Sequence, residues 1–575
     1  MNLPDVTFTT LMRDFESLKN EMISRIPFFT PEWTDRSLSD PGIGLIHIFS
    51  WVLDAYHWVA EMLLNEAFLA TCKRRSSLLL HLKQQGTEIQ PPTAATATVT
   101  ITITSVETGL EGASLKKGWQ VQAALPSTSV VFETLTAIDL PAAGESIDVT
   151  VRAQESTYSN LGTTTGRAFQ QFTIPSTTIL QNASQQTIRI LVGSLEYTTV
   201  SSLAFSGPSD RHVAVERNYG KYPVLTFGDG NKGYLPPVGT AVKAYYAEGG
   251  GTSGNKASAG TITKIVSSVP NGYRLSVTNT TNATGGGDWE AFEAARARGP
   301  ATWAAQDRAV TPADYEASVL GVPGVLKCRA EPKSYSTLVI WAVPQGGGQA
   351  STALRQEIMT AIADRISTDG VIVGEWDPDA GSYRTVRYVK IDITARVRVL
   401  DGYSQSVTWA AVKLAVETWL ATSARDFGEL PSGKLYLGDC YEVLEAVEGV
   451  SSVDVLSFTR RVEAVWTIKS GDAALITGSI LTEAAPDERW WVEFTSPRTF
   501  KVYGEAYGGQ GRGTVNADFT ASSGHFAFRL SDGTVDMAAG DKFWFKTCPR
   551  VSNISLDPME FPTLYTLRPI MEGGY

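Results

Sequence analysis

The side chains best suited to chemistry in this chain are carboxylates. Glu375, Asp377 and Asp379 fall within five positions, and such a group suits a hard cation or an acid/base pair. Pro378 sits among them, and a short acidic run around a proline reads first as a solvated loop. Gly249, Gly251 and Gly254 spell G-x-G-x-x-G directly after the strand-like run 241–248. A dinucleotide site would also need a helix starting there and an acidic residue about 20 positions on. The following NKASAGTITKI is strand-like, and no Asp or Glu occurs between Asn255 and Gly287, which leaves a glycine-rich β loop. Gly228-Asp229-Gly230-Asn231 lacks the alternating oxygens and terminal Glu of a calcium loop and reads as a hairpin turn. The histidines are His47, His57, His81, His212 and His525. His47 and His57 share one helical stretch but stand too far apart to ligate one metal. Neither H-E-x-x-H nor G-x-S-x-G occurs. Trp490 and Trp491 are candidates for a glycan or subunit contact. Paired aromatics in a strand place one ring in the core and the other at a surface. No enzyme, cofactor or metal site is expected.

Composition narrows the class further. The 575 residues are 43% hydrophobic and 19% charged, a globular balance too long for one core, so several domains are expected. A net charge of −11 without a long basic run argues against a nucleic-acid partner, and Lys73-Arg74-Arg75 reads as a solvated helix face. Cys72, Cys328, Cys440 and Cys548 are each more than a hundred residues from the next, which excludes a local zinc knuckle and fits reduced thiols. The opening MNLPDVTFTT has no basic n-region or apolar h-region, so no secretion signal is expected.

The elements that would position these residues change character along the chain. Residues 1–90 are helical. Leu11, Phe15, Leu18, Met22 and Ile26 repeat at helical spacing, and Pro27 is expected to stop that helix. Asp40 caps a second helix with Pro41 at its first position, running to about residue 70, and a short helix at 76–84 ends at Gly86. Residues 91–285 are β-rich, one or two antiparallel domains, beginning with the alternating ATATVTITITSV at 95–106. Residues 286–460 are mixed α/β. Thr311-Pro312-x-Asp314 starts a helix, and the order αβ, βα, βα, αβ fits two related halves. Asp314 precedes Gly324-Val325 at the same distance as Asp439 precedes Gly449-Val450. Residues 461–550 read as an inserted β-sandwich, and 551–575 return to the α/β domain. The fold class is thus multidomain α+β, with hinges expected at Pro91-Pro92 and Gly285-Gly286-Gly287.

The second helix carries the most informative pattern. Ile46, Phe49, Leu53, Tyr56, Ala60, Leu63 and Ala67 form one heptad seam, and Leu45, Ile48, Val52, Ala55, Val59 and Met62 form another beside it. Two adjacent seams are too broad for one partner helix. The first helix is expected to cover one, leaving the other for a second chain. Asp54, His57 and Glu61 interrupt the apolar run, so no membrane span is expected. Ile46, Phe49, Val52, Leu53, Tyr56, Val59 and Leu63 are the candidate inter-subunit contacts.

Three stretches resemble one family. Residues 33–86, with the Ser39-Asp40-Pro41-Gly42 helix start, resemble the N-terminal region of baseplate wedge proteins of contractile phage tails. FGDGNKGYLPPVGTAVKAYYAEGGGTSGN (227–255) and RAVTPADYEASVLGVPGVLKCRAEP (308–332) are similar to the baseplate J-like family. The resemblance covers most of 30–460 and the strand near 551–565. It implies a wedge subunit of the virion tail baseplate, assembled in the host cytoplasm. Two copies would join a smaller tail protein through a helical bundle, and the wedges would close an iris-like ring around the hub and spike. Hub, spike and sheath-initiating proteins are the further partners implied. The alternative from the residues themselves is a carbohydrate-binding tail-tip adhesin acting through the 461–550 sandwich.

Overall fold

The computed structural model describes residues 14–107, 112–125, 129–180, 188–200, 202–216, 222–249, 251–306, 308–334, 337–363, 365, 370–378, 382–421, 424–429, 433–475 and 485–574. The chain is multidomain, with helices first and many sheets after them. Leu11 and Asp379, both invoked from the sequence, lie outside the described residues.

Helix α1 (Phe15–Phe29) begins where the Asp14 carboxylate accepts the Ser17 amide, and it continues through Pro27 instead of stopping there. Only two residues follow the proline, so the helix forgoes a single late bond. Helix α2 (Pro41–Glu66) starts as the sequence requires: Asp40 accepts the amides of Gly42 and Ile43, with Pro41 at the first position. Trp33 explains the glycine that follows. Its ring lies so close that a Cβ on Gly42 would come within 2.3 Å, and its indole N–H donates to Asp40 at 3.2 Å. Helix α3 (Arg75–Gln84) is locked to the end of α2 by Glu66, whose carboxylate accepts the Lys73 and Arg74 amides.

Two β units follow, each with its own core. In the first, β1 (Thr96–Val106) lies between β2 (Ser146–Arg152) and β3 (Tyr273–Asn279) in a six-stranded sheet. The second is a seven-stranded sheet, and it is not wholly antiparallel: Thr198–Val200 run parallel to His212–Ala214.

The α/β region opens with α4 (Phe292–Ala305), a helix the sequence did not announce because Gly299 and Pro300 break its middle. Gly299 is where α4 meets α3: a Cβ there would stand 2.7 Å from Leu82 and Gln85. Helix α5 (Pro312–Leu320) has the full Thr311/Asp314 capping box. Then come β4 (Val325–Pro332), β5 (Leu338–Pro344), α6 (Thr352–Ala363), β6 (Val371–Val373), β7 (Arg387–Val399), α7 (Gln405–Trp419), α8 (Leu437–Glu445), β8 (Val450–Arg460) and β9 (Glu560–Gly573).

The two halves share one plan. The sheet β4-β5-β6 has an antiparallel pair and then a parallel pair, and β8-β7-β9 repeats this around β7. Each central strand leads into a helix, and each antiparallel neighbour follows one through a left-handed glycine, Gly324 (φ 95°) and Gly449 (φ 92°). A separate core holding Trp341, Val386, Phe427 and Phe561 explains why every residue of β5 is buried.

Residues between β8 and β9 form two sheets around an aromatic core that includes Trp466, Trp490, Phe494, Phe500 and Phe543. Arg460 and Glu560 form a buried pair at its root, with Nη2 to Oε1 at 2.9 Å. Nearby, Asp557 accepts from Lys546 and Arg489.

The expected hinges are tied down. Pro91, Pro92 and Gly285–Gly287 are all buried. Thr93 and Gly287 exchange backbone hydrogen bonds at 2.8 and 3.2 Å. Asn255 donates to the Gly286 carbonyl at 2.7 Å and accepts its amide at 2.9 Å. Beside them Arg152 of β2 pairs with Glu357 of α6, at 2% and 6% side-chain exposure. Glycine here provides closeness rather than mobility, because a Cβ on Gly286 would lie 2.4 Å from the Gly251 carbonyl.

Two predictions concern these joints. Removing one partner of a buried ion pair costs about 3–5 kcal/mol, so Glu357→Ala should shift a denaturant-unfolding transition by that order. Arg152→Met combined with Glu357→Leu should recover much of the loss; an unchanged transition in the single variant would show the pair to be dispensable. The second is a pH effect. Burial pushes Asp557 up, but Lys546, Arg489 and Arg460 outweigh it and hold its pKa below the usual value. Its stabilising contribution is therefore present above the unfolded pKa of about 3.9 and lost as pH falls through the lower folded value. Asp557→Asn should flatten that acid limb of stability, read by tryptophan fluorescence.

Candidate assembly interface

The open face of α2 is built by what α1 does not cover. Ile43 and Ser50 are the buried residues of α2. Phe15 meets His47 edge-on at 6.0 Å, and the Ser50 hydroxyl lies 3.6 Å from the Met22 sulfur. The first helix therefore lies along the row that includes His47 and Ser50, the most polar side of α2. It covers neither apolar seam, contrary to the expectation that one would be filled. The reason is visible in α1, whose buried residues are Leu18 and Ile26: two anchors suffice for the narrow row but not for a broad face.

Both seams are consequently open. Phe49, Val52, Tyr56, Val59 and Leu63 are between 41% and 69% exposed, while Ile46 and Leu53 are half-buried. Leu45 and Ile48 extend the face. Trp51 and Trp58, which belong to neither seam, are about two-thirds exposed at 65% and 64%. Their seven-residue spacing on the neighbouring row was the available signal. An apolar surface of this size on one helix is a candidate contact site, since water-exposed patches of this kind are otherwise avoided. Helix α2 is also, among the described residues, a helix long and apolar enough to cross a membrane by length and composition, with 11% of its most apolar window buried.

The helix is held firmly to the body. Glu66 caps the turn into α3, and His81 contacts the Glu66 carbonyl at 3.0 Å. Arg296 of α4 donates to the Cys72 carbonyl. Arg298 donates to the Glu88 carbonyl at 2.6 Å and pairs with Glu290 at 2.7 Å.

The other candidates resolve differently. Glu375 and Asp377 lie in a two-stranded ribbon paired with Ser382–Arg384, not in a loop. Glu375 pairs with Lys333 at 2.6 Å and Arg387 at 2.5 Å, and Asp377 pairs with Arg384. Burial would raise the Glu375 carboxyl, but Arg387 and Lys333 outweigh it and lower its pKa. A carboxylate held this way is occupied by cations. Among the described residues no group of three His, Cys, Asp or Glu side chains could hold a metal ion. Gly251 begins a short 3₁₀ segment (Gly251–Lys256), and Gly254 packs against Ala95 and Ala153, so the glycine motif belongs to the domain junction. Asp229 accepts the Asn231 and Lys232 amides at 2.9 and 2.6 Å. Its turn does not join paired strands, because 224–227 neighbours 212–216 and 171–173 while 241–248 lies elsewhere in the sheet. His212 contacts Ser206 at 2.9 Å, and His525 packs edge-on against Tyr507. All four cysteines are free thiols; burial pushes Cys440 up to about 12.

Trp490 is fully buried, its indole N–H donating to Thr547 at 2.9 Å. It cannot serve as a glycan platform in this fold, because its ring is part of the aromatic core. Trp491 is half-buried under Lys542, whose ammonium lies 4.2 Å from the ring centre.

Residues 14–84, from the cap of α1 to the last residue of α3, match the family described as the bacteriophage baseplate protein, N-terminal domain. No curated protein matches the sequence. Among solved structures, the chain is similar to a chain of the sixfold-symmetrised anti-feeding prophage baseplate, at 13% identity and a TM-score of 0.27, covering 76% of this chain and 86% of that one. It is also similar to FlgL of Xanthomonas campestris, at 19% identity and a TM-score of 0.13, over 17% of this chain and 30% of that one. Likenesses this slight do not bear on the fold. The match of the N-terminal helices supports a phage baseplate protein.

Proposed function

We propose that this chain is a structural wedge subunit of the baseplate J-like kind in a contractile tail. It acts through assembly and carries no catalytic centre. Copies of it form an iris-like ring around the hub and spike in the virion, and changes in their contacts pass the trigger for sheath contraction. The observation that carries this reading is the open apolar face of α2, lying inside the segment that matches the baseplate N-terminal domain.

The occupant of that face is a helical bundle: a second copy of this chain and a smaller tail protein. Burying a large apolar side chain is worth about 1.5–3 kcal/mol, so a face of this breadth drives a stable complex. A lipid bilayer is a poorer match. Asp54, His57 and Glu61 descend the side of α2 that contains the α1 contacts, and charges within hydrocarbon are costly.

The test uses residues that are mostly exposed in the monomer, Phe49 at 59% and Leu63 at 60%. Phe49→Asp with Leu63→Asp should leave the secondary structure of the isolated chain intact. It should weaken wedge assembly by at least about 100-fold, since that corresponds to roughly 2.8 kcal/mol. Light scattering after size exclusion of the chain co-expressed with its neighbouring tail proteins reads the outcome. Wild-type assembly by the double variant would sink the proposal.

A further inference from the structure

We infer that the cleft between the open face of the β8-β7-β9 sheet and the 461–550 sandwich binds a carboxylate carried by an acidic segment of a partner protein. The cleft has a volume of about 250 Å³, and six of its lining side chains are cationic against two carboxylates. Five of these cations are already matched. Arg384 pairs with Asp377, Arg387 with Glu375, Lys390 with Glu463, Arg460 with Glu560 and Lys546 with Asp557.

Arg461 is the sixth. Among the described residues no carboxylate pairs with its guanidinium, which lies over the ring of Tyr565 with 4.0 Å between its central carbon and the ring centre. The Lys390 ammonium lies 5.4 Å from the same ring. A guanidinium over an aromatic face keeps its N–H fork for an acceptor in the ring's plane direction, and that fork matches an oxyanion with two oxygens.

The position of the ring is itself a built feature. Ile391 pairs with Leu564 and Asp392 with Thr566, so Tyr565 is the extra residue of a bulge in β9. A bulge re-aims a side chain, and bulges gather next to functional sites. The Arg461 amide donates to the Lys390 carbonyl at 2.7 Å, which extends β8 far enough to bring the guanidinium above β7. Tyr565 itself remains 48% exposed.

Charge selects the ligand. Lys333 and Arg489 share the Glu375 and Asp557 carboxylates, so the surroundings of the cleft stay cationic and call for an anion, and the planar fork of Arg461 matches the two oxygens of a carboxylate. The volume admits a side chain with its flanking backbone, so a Glu or Asp in an extended peptide is the chemistry that fits. This inference does not depend on the role of α2.

Calorimetric titration of the full chain with acetyl-Ala-Glu-Ala-amide tests it, with acetyl-Ala-Gln-Ala-amide as the neutral control. The Glu peptide should bind saturably and the Gln peptide should not. Arg461→Gln, checked for an unchanged circular dichroism spectrum, should weaken binding at least about tenfold, or roughly 1.4 kcal/mol. Equal binding by wild type and Arg461→Gln, equal binding of both peptides, or no saturable heat at millimolar peptide overturns the proposal. Inorganic phosphate displacing the Glu peptide at lower concentrations than acetate does would overturn the choice of a carboxylate.

Discussion

Asn255 and Gly286 exchange two hydrogen bonds, side chain to backbone, at the place where the β1 sheet unit meets the α/β region. The rest of the arrangement hangs on this contact. It brings the Gly251–Lys256 turn onto the 285–287 segment, whose Gly287 in turn bridges to Thr93 just before β1. Gly285 donates to the Gln345 carbonyl at 3.0 Å, so the end of β5 joins the same knot. Arg152 and Glu357 close it from the side. An ion pair this dry adds little net stability by itself. Its effect is to fix the register of β2 against α6, because any other placement would strand two charges in the core.

The α/β region then appears as one plan used twice. Helix α6 is covered by the β1 sheet unit through Glu357 and through Ser351, whose hydroxyl lies 2.6 Å from that of Thr96. Its counterpart α7 leaves Val407 and Leu414 exposed at 68% and 64%. The 461–550 insertion enters between β8 and β9, the two neighbours of β7, and its root is pinned by Arg460 with Glu560 and by Asp557 with two cations. The insertion is thus carried by a rigid base, and the cleft around Arg461 lies along that seam.

At the other end of the chain, α2 is joined to the body with comparable firmness through α3 and α4. A broad apolar face presented by a fixed helix loses little conformational entropy when a partner covers it, which favours tight association.

Local chemistry alone determined much of this. The Asp40-Pro41 and Thr311-Pro312-x-Asp314 helix starts are short-range hydrogen-bond patterns, and the alternation at 95–106 is a short-range period, so both were legible in order of residues. What the chain could not declare locally were its long-range partners. The side of α2 taken by α1 depended on how few anchors α1 carries. Whether the 285–287 glycines flex or clamp depended on Asn255, thirty-odd residues away in sequence. Gly299 inside α4 found its reason only in α3, where a Cβ would stand 2.7 Å from Leu82 and Gln85. Glu375 and Asp377 became ion pairs through Lys333, Arg384 and Arg387, and Trp490 became core because the facing sheet supplied Phe526 at 4.6 Å. Periodicity fixes which residues share a face; only packing decides what that face meets.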